Sequence, residues 1–408
     1  MKDLGHAIPC IVMGLETQIG LSILRELGRR GVRVVGVTHD ARAIGLASRY
    51  LWRRVLVEAP RSAAMLDALR RLGAELGACP LITVSEANLL WLHANRDALA
   101  PLRPVLPPRD ALGIALDKSS TLAVARSLGM AVPRSGEGVT ADALLAGCAD
   151  LSFPVVLKWR DPSAVSAALG RAGLPLLKAE YVHSAPALKA AIDRYLPVGC
   201  FPLVQEYCAG YGLGQFFYLH KGDVLRRFQH RRVAEWPPEG GFSCVCDALP
   251  LQAHVELQDK SIRLLQAIGW EGVAMVEYRF DPATGRAVLM EINGRFWGSY
   301  PLAMHSQAEF ALLAYLLAAG RAAPDLPPPA QGVRCRMMLA ETKRLLRIWL
   351  RPGLIPDPQF AIRPWPELAR FVADFFRPGV RYYVWSLADP RPWLADFRNA
   401  LASLWRRH

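Results

Sequence analysis

Two glutamates that face each other across a predicted β-hairpin constrain this chain more than any other feature of its sequence. Residues 272–280 and 287–293 are apolar and strand-like, and the turn-forming sequence Asp-Pro-Ala-Thr-Gly-Arg joins them. If the loop is residues 282–286, Glu277 on the first strand is directly opposite Glu291 on the second. Like charges in that position destabilise a half-buried sheet. Either a divalent cation lies between the two carboxylates, or both glutamates are partly exposed or protonated.

The residues after Glu291 extend this candidate metal site. Asn293 lies two positions further along the same face of the strand, so Glu277, Glu291 and Asn293 form a set of oxygen ligands. Oxygen-only ligands of this kind suit Mg²⁺ (or Mn²⁺), which also binds phosphate oxygens and water. Arg295 follows, and its guanidinium would contact a phosphate or a carboxylate through two N–H groups.

The first 115 residues alternate between strand and helix. Residues 8–14 form an apolar run that ends in glycine, residues 18–30 carry leucines on one helical stripe, and residues 32–37 form a second buried-type strand. This βαβ order predicts a parallel, Rossmann-like sheet. Gly14 and Gly20 have the spacing G-x5-G, which differs from the G-x-G-x-x-G fingerprint of dinucleotide-binding folds. We therefore expect a scaffold with tight turns rather than an NAD site.

The next segment, residues 116–320, carries a lysine within an apolar strand. Residues 153–159 contain Lys158, whose ammonium group is either neutralised by an ion pair or binds a phosphate from a rigid strand. Residues 160–177 contain two glycines and two prolines, which predicts a mobile loop. Residues 201–207 form a further strand, and the glycine-containing sequence after it suits a hinge whose backbone binds an adenine edge.

The last part of the chain differs in composition from the rest. Residues 331–408 hold 14 Lys/Arg against 6 Asp/Glu, which is +8 of the net +13, and 5 of the 11 tryptophans. The proline-rich residues 324–330 precede them, and residues 334–350 and 393–407 suit amphipathic helices. Such helices pack on the body of the protein, form an oligomer contact or lie on a membrane surface. We expect nucleotide binding not to require residues 331–408.

Several classes of protein are disfavoured by composition. No apolar run reaches the length that would span a bilayer, and the N-terminus lacks the apolar segment of a secretory signal. The eight cysteines are scattered, which favours buried thiols over a metal or disulfide framework. No nucleic-acid-binding motif accompanies the positive charge. We expect a cytoplasmic protein, either free or peripheral to a membrane.

Five motifs occur in an order that resembles the ATP-grasp superfamily, in the branch of the carbamoyl phosphate synthetase large chain and other carboxylate–amine ligases. Residues 290–295, with sequence Met-Glu-Ile-Asn-Gly-Arg, resemble its metal-binding signature. The other matching residues are Asp117-Lys118, Lys158, Glu206 within the sequence Val-Gln-Glu-Tyr, and Glu277. The resemblance covers residues 1–320 and implies an α/β (α+β) fold.

The resemblance implies three parts and a role for each motif. Residues 1–115 would be a Rossmann-like pre-ATP-grasp domain. Residues 116–320 would be the ATP-grasp domain, with a lid subdomain over 116–205 and a metal-site subdomain over 206–320. Residues 321–408 would be a linker and a basic, Trp-rich helical extension. Lys118 and Lys158 would bind ATP phosphates, and the hinge residues Gln205, Glu206 and Tyr207 would bind the nucleoside.

The activity implied is that of a ligase with catalytic residues Lys158 and Arg295. MgATP would phosphorylate a small carboxylate substrate, and an amine would attack the acyl phosphate. A homo-oligomer and a membrane contact through residues 331–408 are compatible with this activity. Two departures leave alternatives open. A Gly/Ser-rich loop is missing directly after Lys158, and Arg231-Arg232 precede a segment that either binds an anionic acceptor or is a solvated basic loop. The alternatives are a carboxylase that uses bicarbonate and a non-catalytic ATP-binding subunit.

Overall fold

The computed structural model describes residues 7–136, 138–159, 162–177, 179–355 and 360–405. The N-terminal part contains a parallel sheet with the strand order β3-β2-β1-β4-β5, which confirms the predicted Rossmann-like arrangement. Its strands and helices are β1 (Cys10–Met13), α1 (Gln18–Gly28), β2 (Val34–Thr38), β3 (Leu51–Leu56), α2 (Ala63–Leu76), β4 (Pro80–Ile82), α3 (Glu86–Ala94), β5 (Arg103–Pro104) and α4 (Arg109–Leu116).

Gly14 and Gly20 shape the turn between β1 and α1. Gly14 has a φ of +100°, a conformation that glycine adopts without strain. A Cβ atom on Gly20 would lie 2.3 Å from the carbonyl oxygen of Gly14, so the helix approaches the turn closely. The hydroxyl of Thr17 caps α1 by accepting from the backbone N–H of Gly20. Both glycines of the G-x5-G sequence are therefore needed for this packing.

The second part is a small antiparallel sheet with helices around it. The strand order is β6-β9-β7-β8. The elements are α5 (Lys118–Ser127), β6 (Ser135–Gly136), α6 (Ala141–Gly147), β7 (Val155–Lys158), α7 (Pro162–Arg171), β8 (Glu180–Val182), α8 (Ala185–Asp193) and β9 (Leu203–Glu206). Lys158 is the last residue of β7, and Lys118 is the first residue of α5, directly after its N-cap Asp117.

Helix α7 corrects the prediction of a mobile loop over residues 160–177. Pro162 begins the helix, and Gly173, with a φ of +68°, follows its end. Proline and glycine at these positions mark the two ends of a helix and do not interrupt it. Leu169 is fully buried in the core of the small sheet and fixes the helix there. Residues 160 and 161 of the predicted loop lie outside the described residues.

The third part is a large sheet with the strand order β14-β13-β10-β11-β12-β15-β16. The elements from residues 206 to 320 are β10 (Tyr211–His220), β11 (Asp223–Trp236), β12 (Phe242–Ala248), α9 (Val255–Ala267), β13 (Gly272–Asp281), β14 (Arg286–Asn293), α10 (Tyr300–His305) and α11 (Phe310–Ala318). Helices α10 and α11 pack between this sheet and α1, so the large sheet and the N-terminal part share one hydrophobic core.

The C-terminal part completes the large sheet. Its elements are β15 (Arg334–Arg336), α12 (Met338–Leu350), α13 (Pro364–Ala373), β16 (Val380–Tyr382) and α14 (Arg391–Trp405). The prediction of one helix over 334–350 is wrong at its start, because residues 334–336 form a strand that pairs with β12 on one side and with β16 on the other. Residues 406–407 of the second predicted helix lie outside the described residues. The division at residues 116 and 321 stays a prediction, and the sheet crosses the second boundary.

A buried ion pair fastens the C-terminal part to the N-terminal part. The carboxylate of Asp389 accepts hydrogen bonds from Arg25 at 3.0 Å, Ser48 at 2.6 Å and the backbone N–H of Arg49 at 2.9 Å. Arg25 and Asp389 are both fully buried. Residues 331–408 therefore contribute to the fold of the N-terminal part and of the large sheet. Within the described chain, none of the helices has both the length and the apolar character that crossing a bilayer requires.

Candidate active site

The predicted pairing of the two glutamates is correct, but it is reached in a different way. The hairpin loop is one residue shorter than predicted, since Asp281 pairs with Arg286. That register alone would place Glu277 opposite Met290. A β-bulge between the pairs Tyr278–Leu289 and Glu277–Glu291 takes up Met290 and brings the two carboxylates opposite each other.

Arg232 reaches Glu277 from a strand that is not its neighbour. Its guanidinium lies 2.5 Å from the Glu277 carboxylate and 3.1 Å from Glu235. Strand β10 lies between β11 and β13, and the pairing places Gly214 beside Glu277. A Cβ atom on Gly212 would lie 2.6 Å from Cδ of Arg232. The absence of a side chain at Gly212 therefore leaves the space through which the Arg232 side chain crosses β10.

Glu291, Asn293 and Arg295 form a chain of polar contacts. The Asn293 side chain donates from Nδ2 to Glu291 at 3.0 Å and accepts at Oδ1 from Arg295 at 2.9 Å. Arg295 also forms an ion pair of 3.1 Å with Glu86, the first residue of α3. These contacts fix the orientation of the amide and link the end of β14 to the N-terminal part.

The environment shifts the pKa values of the facing glutamates in opposite directions. Burial raises the pKa of Glu277 above its usual value, although the charge of Arg232 opposes the shift. Burial also acts to raise the pKa of Glu291, but the charge of Lys118 and the hydrogen bond from Asn293 outweigh it, so that this pKa is lowered. Glu291 is therefore the more firmly ionised member of the pair.

Two lysines from the small sheet and its first helix complete the charged cluster. Burial lowers the pKa of Lys158 to about 8, and repulsion from Lys118 adds to this shift, while Glu291 and Glu277 oppose it. The two lysines and the two glutamates thus act on one another electrostatically. Lys158 pairs with Leu203 at one end of β7, and Val155 pairs with Glu206 at the other. Lys158 and the hinge are separated by about 10 Å along the strand.

The predicted hinge residues are held by contacts within the protein. The Glu206 carboxylate accepts from Arg286 at 3.0 Å and from Arg134 at 3.2 Å. Gln205 is buried and donates to Ser135 at 3.3 Å, and one of its side-chain atoms, Oε1, is buried without a partner. The Tyr207 ring lies against Tyr181, with 6.1 Å between the centroids. The roles of these three residues in nucleotide binding stay predictions.

Three solved structures show which fold this is. Biotin carboxylase from Campylobacter jejuni, in complex with β-γ-ATP, superposes with a TM-score of 0.62 at 17% identity over 80% of this chain and 74% of the other. N5-carboxyaminoimidazole synthetase from Staphylococcus aureus gives 0.63 at 12%, over 86% and 88%. L-amino acid ligase from Bacillus licheniformis gives 0.52 at 18%, over 75% and 73%. All three are ATP-grasp proteins. The chain has the ATP-grasp fold. No protein-family model and no curated protein matches the sequence.

The assignment of Glu277, Glu291 and Asn293 as metal ligands stays a prediction. No group of three or more His, Cys, Asp or Glu side chains that would hold a metal is present among the described residues. A metal at this site would therefore use the mixed set of Glu277, Glu291 and Asn293. Two facing carboxylates and a fixed amide suit Mg²⁺, which keeps several of its coordination positions for water and phosphate.

Sequence reasoning about this ATP-grasp chain missed the crossing of β10 by Arg232. The pair Arg231-Arg232 was expected near an acceptor loop, whereas both residues lie within β11. Of the two arginines, Arg232 contacts Glu277 and Glu235, while Arg231 forms an ion pair of 3.2 Å with Asp247. The signal for the crossing is the alternation of glycine and larger residues in Tyr-Gly-Leu-Gly at residues 211–214. Glycine is otherwise unfavourable in a strand interior and marks a close approach.

We expect Gly212→Ala to impair the candidate site around Glu277 without unfolding the protein. The new methyl group would overlap the Arg232 side chain and displace it from Glu277. We expect kcat/KM for ATP turnover to fall by at least about tenfold, because charged groups that are moved from their positions lose much of their effect on a transition state. Gly113→Ala is the matched control, since no atom lies within 4 Å of the added methyl group. Equal turnover in both variants would show that the position of Arg232 is unimportant.

Proposed function

We propose that this protein is an ATP-dependent ligase that activates a small carboxylate as an acyl phosphate and couples it to an amine. The observation that carries the proposal is the pairing of Glu277 with Glu291 beside Lys158, Lys118 and Arg295. Neighbours of the same fold include a carboxylase in complex with β-γ-ATP and an amino acid ligase. A cluster that holds both carboxylates and cations suits a reaction in which phosphate charge moves from one oxygen to another.

The first chemical step is transfer of the γ-phosphoryl group of ATP to the carboxylate. An oxygen of the carboxylate forms a bond to the γ-phosphorus while the bond to the β–γ bridging oxygen breaks, which gives the acyl phosphate and ADP. Lys158 and Lys118 neutralise phosphate oxygens from one side of the site. A divalent cation bound by Glu277, Glu291 and Asn293 would supply additional positive charge at the phosphates.

The second step joins the acid to the nucleophile. The amine nitrogen attacks the acyl carbon, phosphate leaves, and the nitrogen loses a proton, so that the products are an amide, ADP and inorganic phosphate. Arg295 and Arg232 are the guanidinium groups beside the metal ligands, and a guanidinium binds a carboxylate through two parallel hydrogen bonds. We therefore propose Arg295 as the residue that orients the carboxylate and Arg232 as its partner.

The nucleotide would extend along β7 from Lys158 to the hinge. The separation of about 10 Å between the two ends of that strand suits a ligand with phosphates at one end and a base at the other. The buried acceptor Oε1 of Gln205, which has no partner, supports a polar ligand group near the hinge.

The product test separates this proposal from other ways of activating an acid. With the correct carboxylate, the enzyme is expected to form ADP and phosphate, and added hydroxylamine is expected to trap the acyl phosphate as a hydroxamate. This assay needs the acid but not the natural amine. AMP and pyrophosphate as products would contradict the proposal.

Two further outcomes would favour the alternatives. ADP release with bicarbonate alone, without a hydroxamate from any organic acid, would indicate a carboxylase. Several of the structural neighbours are carboxylases by name. Tight MgATP binding with no turnover over a broad panel of acids would indicate a non-catalytic ATP-binding subunit.

A further inference from the structure

Helix α13 exposes an apolar stripe to solvent. Trp365, Ala369, Val372 and Phe376 follow each other at intervals of four, three and four residues, which places them on one face of the helix and its C-terminal turn. We call these four residues the α13 stripe. Trp365 is 71% exposed, Val372 47% and Phe376 82%. A surface helix normally turns its apolar stripe towards the core, so this face lacks the cover that its composition demands.

The acidic side chains of α13 and its C-terminal turn form ion pairs with arginines of the C-terminal part. Glu367 forms ion pairs of 2.5 Å with Arg344 and 2.8 Å with Arg370, and Asp374 forms one of 2.8 Å with Arg334. The exposed charged side chains differ from these in sign. Every exposed charged side chain among the described residues from 343 to 381 is basic: Lys343, Arg351, Arg363, Arg377 and Arg381. We call these five residues the basic rim.

The apolar surface continues onto α12. The Trp349 ring, at the end of that helix, meets Trp365 edge to face with 4.8 Å between centroids, and its Nε1 donates to Pro364. Leu350, the next residue, is 71% exposed, and Leu346, one turn earlier, is 50% exposed. The exposed tryptophan, phenylalanine and leucines thus belong to adjoining helices rather than to scattered sites.

We propose that the α13 stripe and its basic rim bind the surface of an anionic lipid bilayer. Trp365 and Phe376 enter the interfacial layer, while the arginines contact lipid phosphates at its edge. Exposed tryptophan, phenylalanine and leucine side chains on adjoining helical segments, together with exposed arginines, have the composition of helices that lie in the plane of a membrane interface. The binding is peripheral, and it is independent of the ligase function proposed above.

Charge complementarity favours a bilayer over a second copy of this chain. Two copies that met through the α13 stripe would bring their basic rims together, and like charges at an interface oppose association. An anionic bilayer instead attracts each basic residue, with about a fivefold gain in binding for each one near the surface. A bilayer also covers a continuous apolar surface without requiring a matching shape.

Co-sedimentation of the full chain with vesicles tests the proposal. We expect the protein to sediment with phosphatidylcholine vesicles that contain phosphatidylglycerol, and much less with phosphatidylcholine alone. The binding should fall as the salt concentration is raised from about 0.05 M to about 0.5 M, because salt screens the attraction to the rim. The double variant Trp365→Ser/Phe376→Ser should bind at least about tenfold more weakly, since it loses the two most exposed aromatic side chains.

Trp52→Ser is the matched control. Trp52 is 45% exposed and lies 4.8 Å from the Arg33 guanidinium, so it is another exposed tryptophan beside an arginine, but on β3. This variant should bind vesicles like the unmodified protein. A second double variant, Arg363→Glu/Arg377→Glu, reverses charge at exposed positions and should remove the preference for anionic lipid. Melting curves and ATP binding establish that each variant is folded.

Three results would overturn the proposal. The first is that the unmodified protein stays in the supernatant with anionic vesicles at low salt. The second is that the α13 variant binds as tightly as the Trp52 control. The third is a stable dimer in solution that Trp365→Ser/Phe376→Ser dissociates, which would identify the α13 stripe as a contact between copies.

Discussion

Glu291→Gln is expected to lower kcat/KM for ATP turnover by at least about 100-fold while the protein stays folded. Glutamine keeps the volume of the side chain, and its carbonyl oxygen can still accept the hydrogen bond from Asn293. What the variant loses is the negative charge that stays firmly ionised beside Lys118, where a metal and phosphates would bind. The loss should appear in metal-dependent release of ADP, measured against matched thermal unfolding curves.

Glu256→Gln is a suitable control, because that glutamate is exposed in the first turn of α9, away from the cluster. Unchanged turnover in Glu291→Gln would remove the assigned metal site and the function proposed from it. Glu277 is a less clear test. Its replacement leaves the half-buried Arg232 without one of its two carboxylate partners, so a loss of activity there would include a loss of stability.

The second large effect is expected at the buried Arg25–Asp389 pair, where Asp389→Asn should lower the free energy of unfolding by about 3 kcal/mol or more. The variant leaves Arg25, which is fully buried, with an uncompensated charge. Burial already lowers the pKa of Arg25, and the Asp389 carboxylate is the main influence that opposes this shift. Urea unfolding followed by fluorescence and circular dichroism would measure the change.

The control for this stability effect is Asp325→Asn, at an exposed position before β15. A difference of less than about 1 kcal/mol between the two variants would mean that the Arg25–Asp389 pair contributes no more than an exposed ion pair. The expectation that nucleotide binding does not require residues 331–408 stays a prediction, but the same contact shows that their removal would affect the fold. Truncation before β15 would remove two strands of the large sheet together with Asp389.

Local pattern was sufficient to predict the parallel N-terminal sheet and the hairpin with its facing glutamates. Both depend on alternation and turn chemistry over short stretches of chain, where neighbours in sequence are neighbours in the structure. The shorter loop and the compensating bulge at Met290 left no sequence signal that distinguishes them from a five-residue loop without a bulge. The shorter loop and the bulge shift the register in opposite directions, so the prediction of Glu277 opposite Glu291 is confirmed.

The features that escaped prediction depend on partners far away in the chain. Residues 334–336 resemble the start of an amphipathic helix in sequence, but their pairing with β12, almost 90 positions earlier, makes them a strand. Arg334 forms an ion pair with Asp247 of β12. Arg232 reaches Glu277 across a third strand, where Gly212 leaves the space for its side chain. Helix α7 was obscured because proline and glycine, which were interpreted as loop residues, lie at its two ends.

The Arg25–Asp389 pair has a consequence for how the chain matures. A ribosome completes α1, including Arg25, long before it reaches residue 389, so the nascent N-terminal segment carries a guanidinium whose burial is not yet compensated. Domains made early in synthesis commonly fold as they emerge. Here the final closure of that segment has to await the synthesis of residue 389. Premature termination upstream of codon 389 would therefore damage the Rossmann-like part around Arg25 as well as the missing residues.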